Sequence, residues 1–144
     1  MLKYRKIKLS SENEQMNGKV FARAVIDQTI GLNELAQHMA KHGTPYTRGV
    51  IAGILTDMVD CIQELALDGI AVKIPDLAIF SVGIKSKLAD TVEDFSAATN
   101  IRGYKMRARA TGNFRREVLD NMASIKEMDD YDGKLSGTAQ QQNP

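Results

Sequence analysis

The hydrophobic and polar positions of this chain change period several times. Residues 3–9, KYRKIKL, are short and rich in Lys; residues 19–26, KVFARAVI, carry β-branched and aromatic side chains. Both read as strands. The polar SSENEQMNG between them ends in a turn-favouring Asn-Gly, which predicts a hairpin. Next, Leu35, Ala36, Met39 and Ala40 form one apolar stripe of a short helix, with Asn33 placed to cap it and Gly43 to close it. A longer helix follows. Thr44 before Pro45, or else Thr47, starts it, and Val50, Ile51, Ile54, Leu55, Met58, Val59, Ile62, Leu65 and Ala66 keep helical period until Gly69. So wide a stripe in a small chain implies a partner as well as a core.

After Gly69, Ile70, Val72 and Ile74 alternate with Ala71 and Lys73, Pro75-Asp76 turns the chain, and Leu77 to Ile84 makes a second strand. LADTVEDFSAATN is polar and weak in strand formers, hence a loop. From Tyr104 to Ala110 the alternation is sharp. Tyr104, Met106, Ala108 and Ala110 share one side, and Lys105, Arg107 and Arg109 the other. Gly112-Asn113 turns into a final helix, capped by Asn113, whose apolar face is Phe114, Val118, Leu119, Met122 and Ile125. Residues 129–144 lack apolar periodicity and read as a disordered polar tail.

Composition alters this picture in two ways. First, the 144 residues, 43% of them hydrophobic, suit one globular body whose stability gains from oligomerisation. Cys61, the single cysteine, permits no internal disulfide, which fits a cytoplasmic setting; within the apolar helix it reads as an inert buried thiol. No apolar run approaches a membrane span, and MLKYRKIKL lacks the apolar core of a secretion signal. Second, the formal charge of +1 conceals segregation. Residues 127–134 hold four acids against one Lys, and the rest of the chain carries 18 basic and 14 acidic residues.

Between Arg102 and Arg116 stand six cations and no acid. Lys105, Arg107, Arg109, Arg115 and Arg116, joined by Lys85 and Lys87 from the preceding strand, form a set suited to phosphate, and Arg outnumbers Lys as bidentate contact favours. Arg115 and Arg116 oppose the dipole of the helix they begin, a small cost that an anion partner would offset. The plain alternative is a solvated strand face that discourages edge pairing. No helix offers an Arg/Asn/Gln set for reading bases. His38 and His42, at i and i+4, have zinc spacing without a third ligand, so no metal is expected. Asp57, Asp60, Glu64 and Asp68 follow the polar side of the long helix. No phosphate loop, nucleophile elbow or carboxylate pair with a suitable His or Cys appears, so neither catalytic residues nor a cofactor are expected.

The element order from Leu32 onward is similar to that of the bacterial histone-like HU and integration host factor family. LDGIAVKI resembles the family's acidic-Gly-x-x-Val-x-Leu entry into its first strand. PDLAIF occupies the place of the Gly-x-Gly-x-Phe turn, with Phe80 on the Phe. TGNFRREVL resembles the Gly-Lys-x-Leu-Lys opening of the last helix, with Gly112 on the Gly. GKVFARAV in an N-terminal hairpin looks like the extended subgroup of HU-like proteins. The resemblance covers roughly residues 19–125. It implies an α+β, HU/IHF-like DNA-binding domain with a helix-turn-helix pair, a three-stranded antiparallel sheet, a C-terminal helix and an N-terminal β-hairpin extension.

The expected divisions are 1–30 for the hairpin, 31–128 for the HU-like body and 129–144 for the tail. The resemblance further implies an intertwined homodimer on double-stranded DNA, in the cytoplasm at the nucleoid, with no membrane and no small-molecule substrate. Lys85, Lys87, Arg102, Lys105, Arg107 and Arg109 would line the ribbon, while Arg115 and Arg116 would grip flanking phosphates. The chain departs from the family at the arm. Arg-Asn-Pro is absent, no Pro lies between Pro75 and Pro144, and LADTVEDF is acidic. Asp76 and Ala78 replace the turn glycines, and Asn113 replaces the Lys. Wedge-driven bending is therefore expected to be lost, and an HU-like dimer serving as a protein-interaction module stands as the alternative.

Overall fold

The computed structural model describes residues 1–131. These fall into two compact units: Met1–Thr29 with the residues from Met122 on, and Ile30–Asn121. Each contains one three-stranded sheet, and the class is mixed α+β.

In the first unit, β1 (Leu2–Lys8) pairs antiparallel with β2 (Val20–Val25), as the alternation and the Asn-Gly turn anticipate. Gly18 supplies the left-handed turn conformation at φ +80°. The other edge of β1 holds a strand that sequence reasoning missed. β6 (Ile125–Glu127) runs parallel to β1, with Leu2 against Ile125 and Tyr4 against Glu127. Helical phase placed Ile125 on the last helix. In the structure that helix ends at Met122, because the backbone from Ser124 to Met128 finds partners on β1: Leu2 donates to the Ser124 carbonyl at 2.9 Å and Met128 to that of Tyr4 at 2.9 Å. A ladder made by tertiary pairing outweighs a weak local preference. Glu127 also takes Lys6 at 3.1 Å, and this hydrogen bond, then the carboxylate charge, holds the Lys6 ammonium above its usual range.

Residues 122–128, expected in the body ending at 128, thus group with residues 1–29. Of the expected tail, Asp129 to Tyr131 continue this edge. The Tyr131 hydroxyl accepts from the Lys6 amide at 3.1 Å and donates to Glu127 at 2.9 Å. Residues 132–144 lie outside the described residues.

In the second unit, α1 (Leu32–Ala40) and α2 (Arg48–Leu67) precede an antiparallel sheet of β3 (Val72–Ile74), β4 (Ala78–Ser86) and β5 (Ile101–Ala110). A one-turn α3 (Ala97–Asn100) lies before β5. A 3-10 turn, Gly112–Phe114, and α4 (Arg116–Met122) follow it. Thr47 caps α2, its hydroxyl accepting from the Val50 amide at 3.4 Å. Asn33 does not cap α1. The helix starts one residue before it, at Leu32, and Gly31 holds the N-cap without a side-chain bond. Cys61, read as buried, is exposed. It lies three residues from Met58, four from Leu65 and seven from Ile54, at the edge of the apolar stripe where Ile54 and Leu65 are exposed too.

The core is small. Among the described residues the buried apolar side chains are Ala36, Ile51, Ala66 and Ala78, and no large side chain is fully buried. Ile54 is 57% exposed, Tyr104 69% and Met106 70%. None of the described helices is long and apolar enough to cross a membrane.

The turn between β3 and β4 closes against the end of β5. Asp76 sits at φ +60°, the left-handed conformation that glycine takes most easily, and its carboxylate and Cα crowd Gly112, itself at φ +51°. Thr111 locks the two together, its amide donating to the Leu77 carbonyl at 3.0 Å and its hydroxyl to that of Ile74 at 3.2 Å. A Cβ on Gly112 would lie 2.8 Å from the Asp76 Cα. Gly112→Ala is therefore expected to lower stability by roughly 1–3 kcal/mol, and Asp76→Gly to be neutral or stabilising. Urea unfolding at fixed protomer concentration measures both.

Candidate nucleic-acid interface

The register of the second sheet decides which side chains share a face. Ile79 faces Lys73 on one side and Arg109 on the other; Ser81 faces Arg107, Gly83 faces Lys105, and Lys85 faces Gly103. One face therefore carries Lys73, Lys85, Lys105, Arg107 and Arg109. The opposite face carries Val72, Phe80, Val82, Met106, Ala108 and Tyr104, and turns toward α2. Strand alternation sorts apolar from basic so completely because β5 repeats the two types with period two.

Arg107 is seated on a glycine. A side chain at Gly83 would begin 2.9 Å from the Arg107 guanidinium carbon, so the guanidinium crosses the sheet where β4 offers no Cβ. Among the described residues, no carboxylate forms an ion pair with Lys73, Lys85, Lys105, Arg107 or Arg109. Neighbouring charges in the row lie about 7 Å apart, two residues along a strand and within roughly one Debye length, so they repel and jointly favour an anion.

The other expected residues stand differently. Lys87 follows β4 directly; its amide donates to the Asn100 carbonyl at 2.7 Å, and its carbonyl accepts from the Asn100 side chain at 3.3 Å. Arg102 leaves the row. The register jumps from Lys85–Gly103 to Ser86–Ile101, so Arg102 is the bulged residue without a partner across the ladder. Arg116 pairs with Asp120 at 3.5 Å on an exposed stretch of α4, a weak contact, and Arg115 precedes it in the turn. Lys73 is the residue that sequence reasoning missed. Its alternation with Val72 and Ile74 was visible, but only the register places it opposite Ile79, in line with Arg109.

α2 does not cover the apolar face of the sheet. A cavity of about 500 Å3 opens between them, lined by Met58, Val59, Ile62, Phe80, Tyr104 and Met106 among others. Beyond Ser86 the ribbon stops. The buried Asn100 side chain accepts from the Ser96 amide at 3.1 Å and the Thr99 hydroxyl at 2.8 Å, and donates to the Leu88 carbonyl at 3.4 Å besides that of Lys87. These bonds fold residues 87–100 into a closed loop. Exposed His38, near the end of α1, and His42, in the turn after it, approach at 3.1 Å between their Nε2 atoms, and no group of three metal-ligating side chains occurs among the described residues.

A family model described as "HU domain fused to wHTH, Ig, or Glycine-rich motif" matches residues 1–126. No curated protein matches the chain by sequence. A solved structure from Bacteroides vulgatus, described as a candidate bacterial DNA binding protein, superposes with a TM-score of 0.64 at 13% identity. The match covers 88% of this chain and 47% of that one, so this chain spans about half its length. At that identity the likeness is one of fold.

Among the described residues the basic face holds no ion pair, so its cations repel one another without an internal partner to offset it. The triple replacement Lys105→Gln, Arg107→Gln and Arg109→Gln is expected to keep the circular dichroism spectrum and to leave Tm unchanged or higher. A loss of Tm would show that these side chains brace the sheet.

Proposed function

The chain belongs to the family of HU domains fused to a wHTH, Ig or glycine-rich motif, and from that premise we propose that it is a non-catalytic, largely sequence-independent DNA-binding protein acting as a homodimer at the nucleoid. The observation that carries the reading is the single basic face of Lys73, Lys85, Lys105, Arg107 and Arg109, without carboxylate partners among the described residues. Lys87, Arg115 and Arg116 would add flanking phosphate contacts. Phosphate contacts of this kind supply affinity and position without reading sequence.

The homodimer is supported by the uncovered side of the same sheet. Tyr104, Met106, Ile84, Ile54 and Val59 are each at least half exposed, beside a groove that α2 leaves open. Covering one such side chain fully is worth about 1.5–3 kcal/mol. A second copy would fill both grooves symmetrically, and twofold pairing would double the basic row.

A second reading, an HU-like protein-interaction module, is favoured by the loop after β4. There Leu88 and Val92 are exposed beside Asp90, Glu93 and Asp94.

Fluorescence anisotropy with random duplex DNA separates the two. Binding at low salt is expected, with a log–log salt slope near ~−5 if a dimer neutralises ~6 phosphates. The Lys105/Arg107/Arg109 triple Gln variant is expected to lose at least tenfold in affinity. No binding at tens of micromolar protein would leave the interaction-module reading. Sedimentation should give a dimer, and Ile62→Asp, set in the groove, should abolish it or unfold the chain.

A further inference from the structure

The sheet of the first unit carries a second set of cations that the proposed function does not use. On β1 and β2 the register puts Arg5 directly opposite Arg23, with Lys3 opposite Val25 and Ile7 opposite Phe21 on the same face. Like charges directly opposed across an antiparallel pair destabilise it. Three other cations of this sheet find carboxylates, Lys3 reaching Asp27 at 3.4 Å, Lys6 reaching Glu127 at 3.1 Å and Lys126 reaching Asp129 at 2.9 Å, while Lys8 at the end of β1 has none among the described residues. Arg5 and Arg23 have none among the described residues, and both are exposed. Between them they leave a standing repulsion that an anion from outside would relieve.

The neighbour of this pair narrows the chemistry. Phe21 is 39% exposed on a strand edge, and the Arg23 guanidinium sits 5.5 Å from its ring centroid. A metabolite phosphate would use the two guanidinium groups and ignore the ring. A strand with unpaired bases would use both, setting backbone phosphate on Arg5 and Arg23 and a base against Phe21. Paired bases in a duplex keep their faces stacked and cannot offer one to the ring.

We propose that the face of β1 and β2 carrying Arg5, Arg23 and Phe21 binds single-stranded nucleic acid as a site separate from the basic face of the second sheet. The site lies wholly within the first unit and does not rest on the duplex-binding reading.

The test uses the full chain and two fluorescent probes, an oligo-dT strand and a random duplex, read by anisotropy. The Arg5→Gln/Arg23→Gln variant is expected to weaken oligo-dT binding at least tenfold and to flatten its log–log salt slope by about 1.4, the share of two phosphates on a single strand. Phe21→Leu, which keeps bulk but removes the aromatic face, is expected to weaken oligo-dT binding about fivefold or more without changing the slope. Duplex affinity should move less than twofold in either. Arg5→Gln alone should leave Tm unchanged or raise it, which separates lost binding from lost fold. Unchanged oligo-dT affinity in these variants overturns the proposal, as does equal loss on both probes. If the Lys105/Arg107/Arg109 triple variant keeps duplex affinity while Arg5→Gln/Arg23→Gln loses oligo-dT, the duplex reading fails and this one stands.

Discussion

Strand alternation in β5 is the constraint on which the second unit depends. Beyond the bulge at Arg102, period two puts Tyr104, Met106 and Ala108 on one side and Lys105, Arg107 and Arg109 on the other. A shift of one residue against β4 would drive the cations toward α2 and the apolar side chains into water. At the places of Tyr104 and Met106, about 70% exposed, a displaced cation would stay largely in water, so the cost of the slip lies mainly in the apolar side chains it strands. The register is thus fixed by the half-buried apolar side chains, Phe80 and Val82 toward α2. The lock between Asp76, Thr111 and Gly112 fixes it again at the far end, because the turn and the exit of β5 fit only when Ala78 lies opposite Ala110.

The same sorting leaves each face incomplete. The apolar side meets α2 only in part, so Tyr104 and Met106 stay about 70% exposed and the buried core is made of small residues and one Ile. Among the described residues, no carboxylate pairs with the basic side. Proteins rarely keep either condition without a partner, since apolar area in water and unpaired like charges both cost stability. The two demands are of different kinds. Apolar cover is non-directional and favours a permanent partner, whereas the charges are screened by salt and favour a reversible one. One sheet can therefore support a lasting assembly on one side and exchangeable binding on the other.

Much of this was legible in the sequence. The hairpin, the two helices and the β5 faces all rest on strong periodicity with clear stops such as Gly43, Gly69 and the Asn-Gly turn. What failed to show was everything set by pairing at a distance. Ile125 kept helical phase but joined β1, because its partners lie more than a hundred residues away. Lys73 looked like one polar residue in a short strand until the ladder aligned it with Arg109. Cys61 was misread for a simpler reason: it keeps the phase of Ile54, Met58 and Leu65, but that edge of the apolar stripe is left uncovered. Arg5 and Arg23 each sat in a plausible strand, and only their register sets them head to head.

The loop that ends the β4–β5 ribbon bears on how such a protein could hold DNA. Two-armed wrapping needs a ribbon long enough to pass around the duplex and a wedge at its tip. Here Asn100 gathers four side-chain hydrogen bonds and closes the connection directly after Ser86. The three acids that follow, Asp90, Glu93 and Asp94, would repel phosphate from the tip. Contact on the proposed reading must then come from the flat of the sheet rather than from its end. A flat face touches fewer phosphates than an arm does, and it forgoes both the cost of kinking the duplex and the extra surface that kinking gains. Affinity would rest almost wholly on counterion release, so it would be steep in salt, shallow in sequence, and dependent on a second copy to supply enough cations at once.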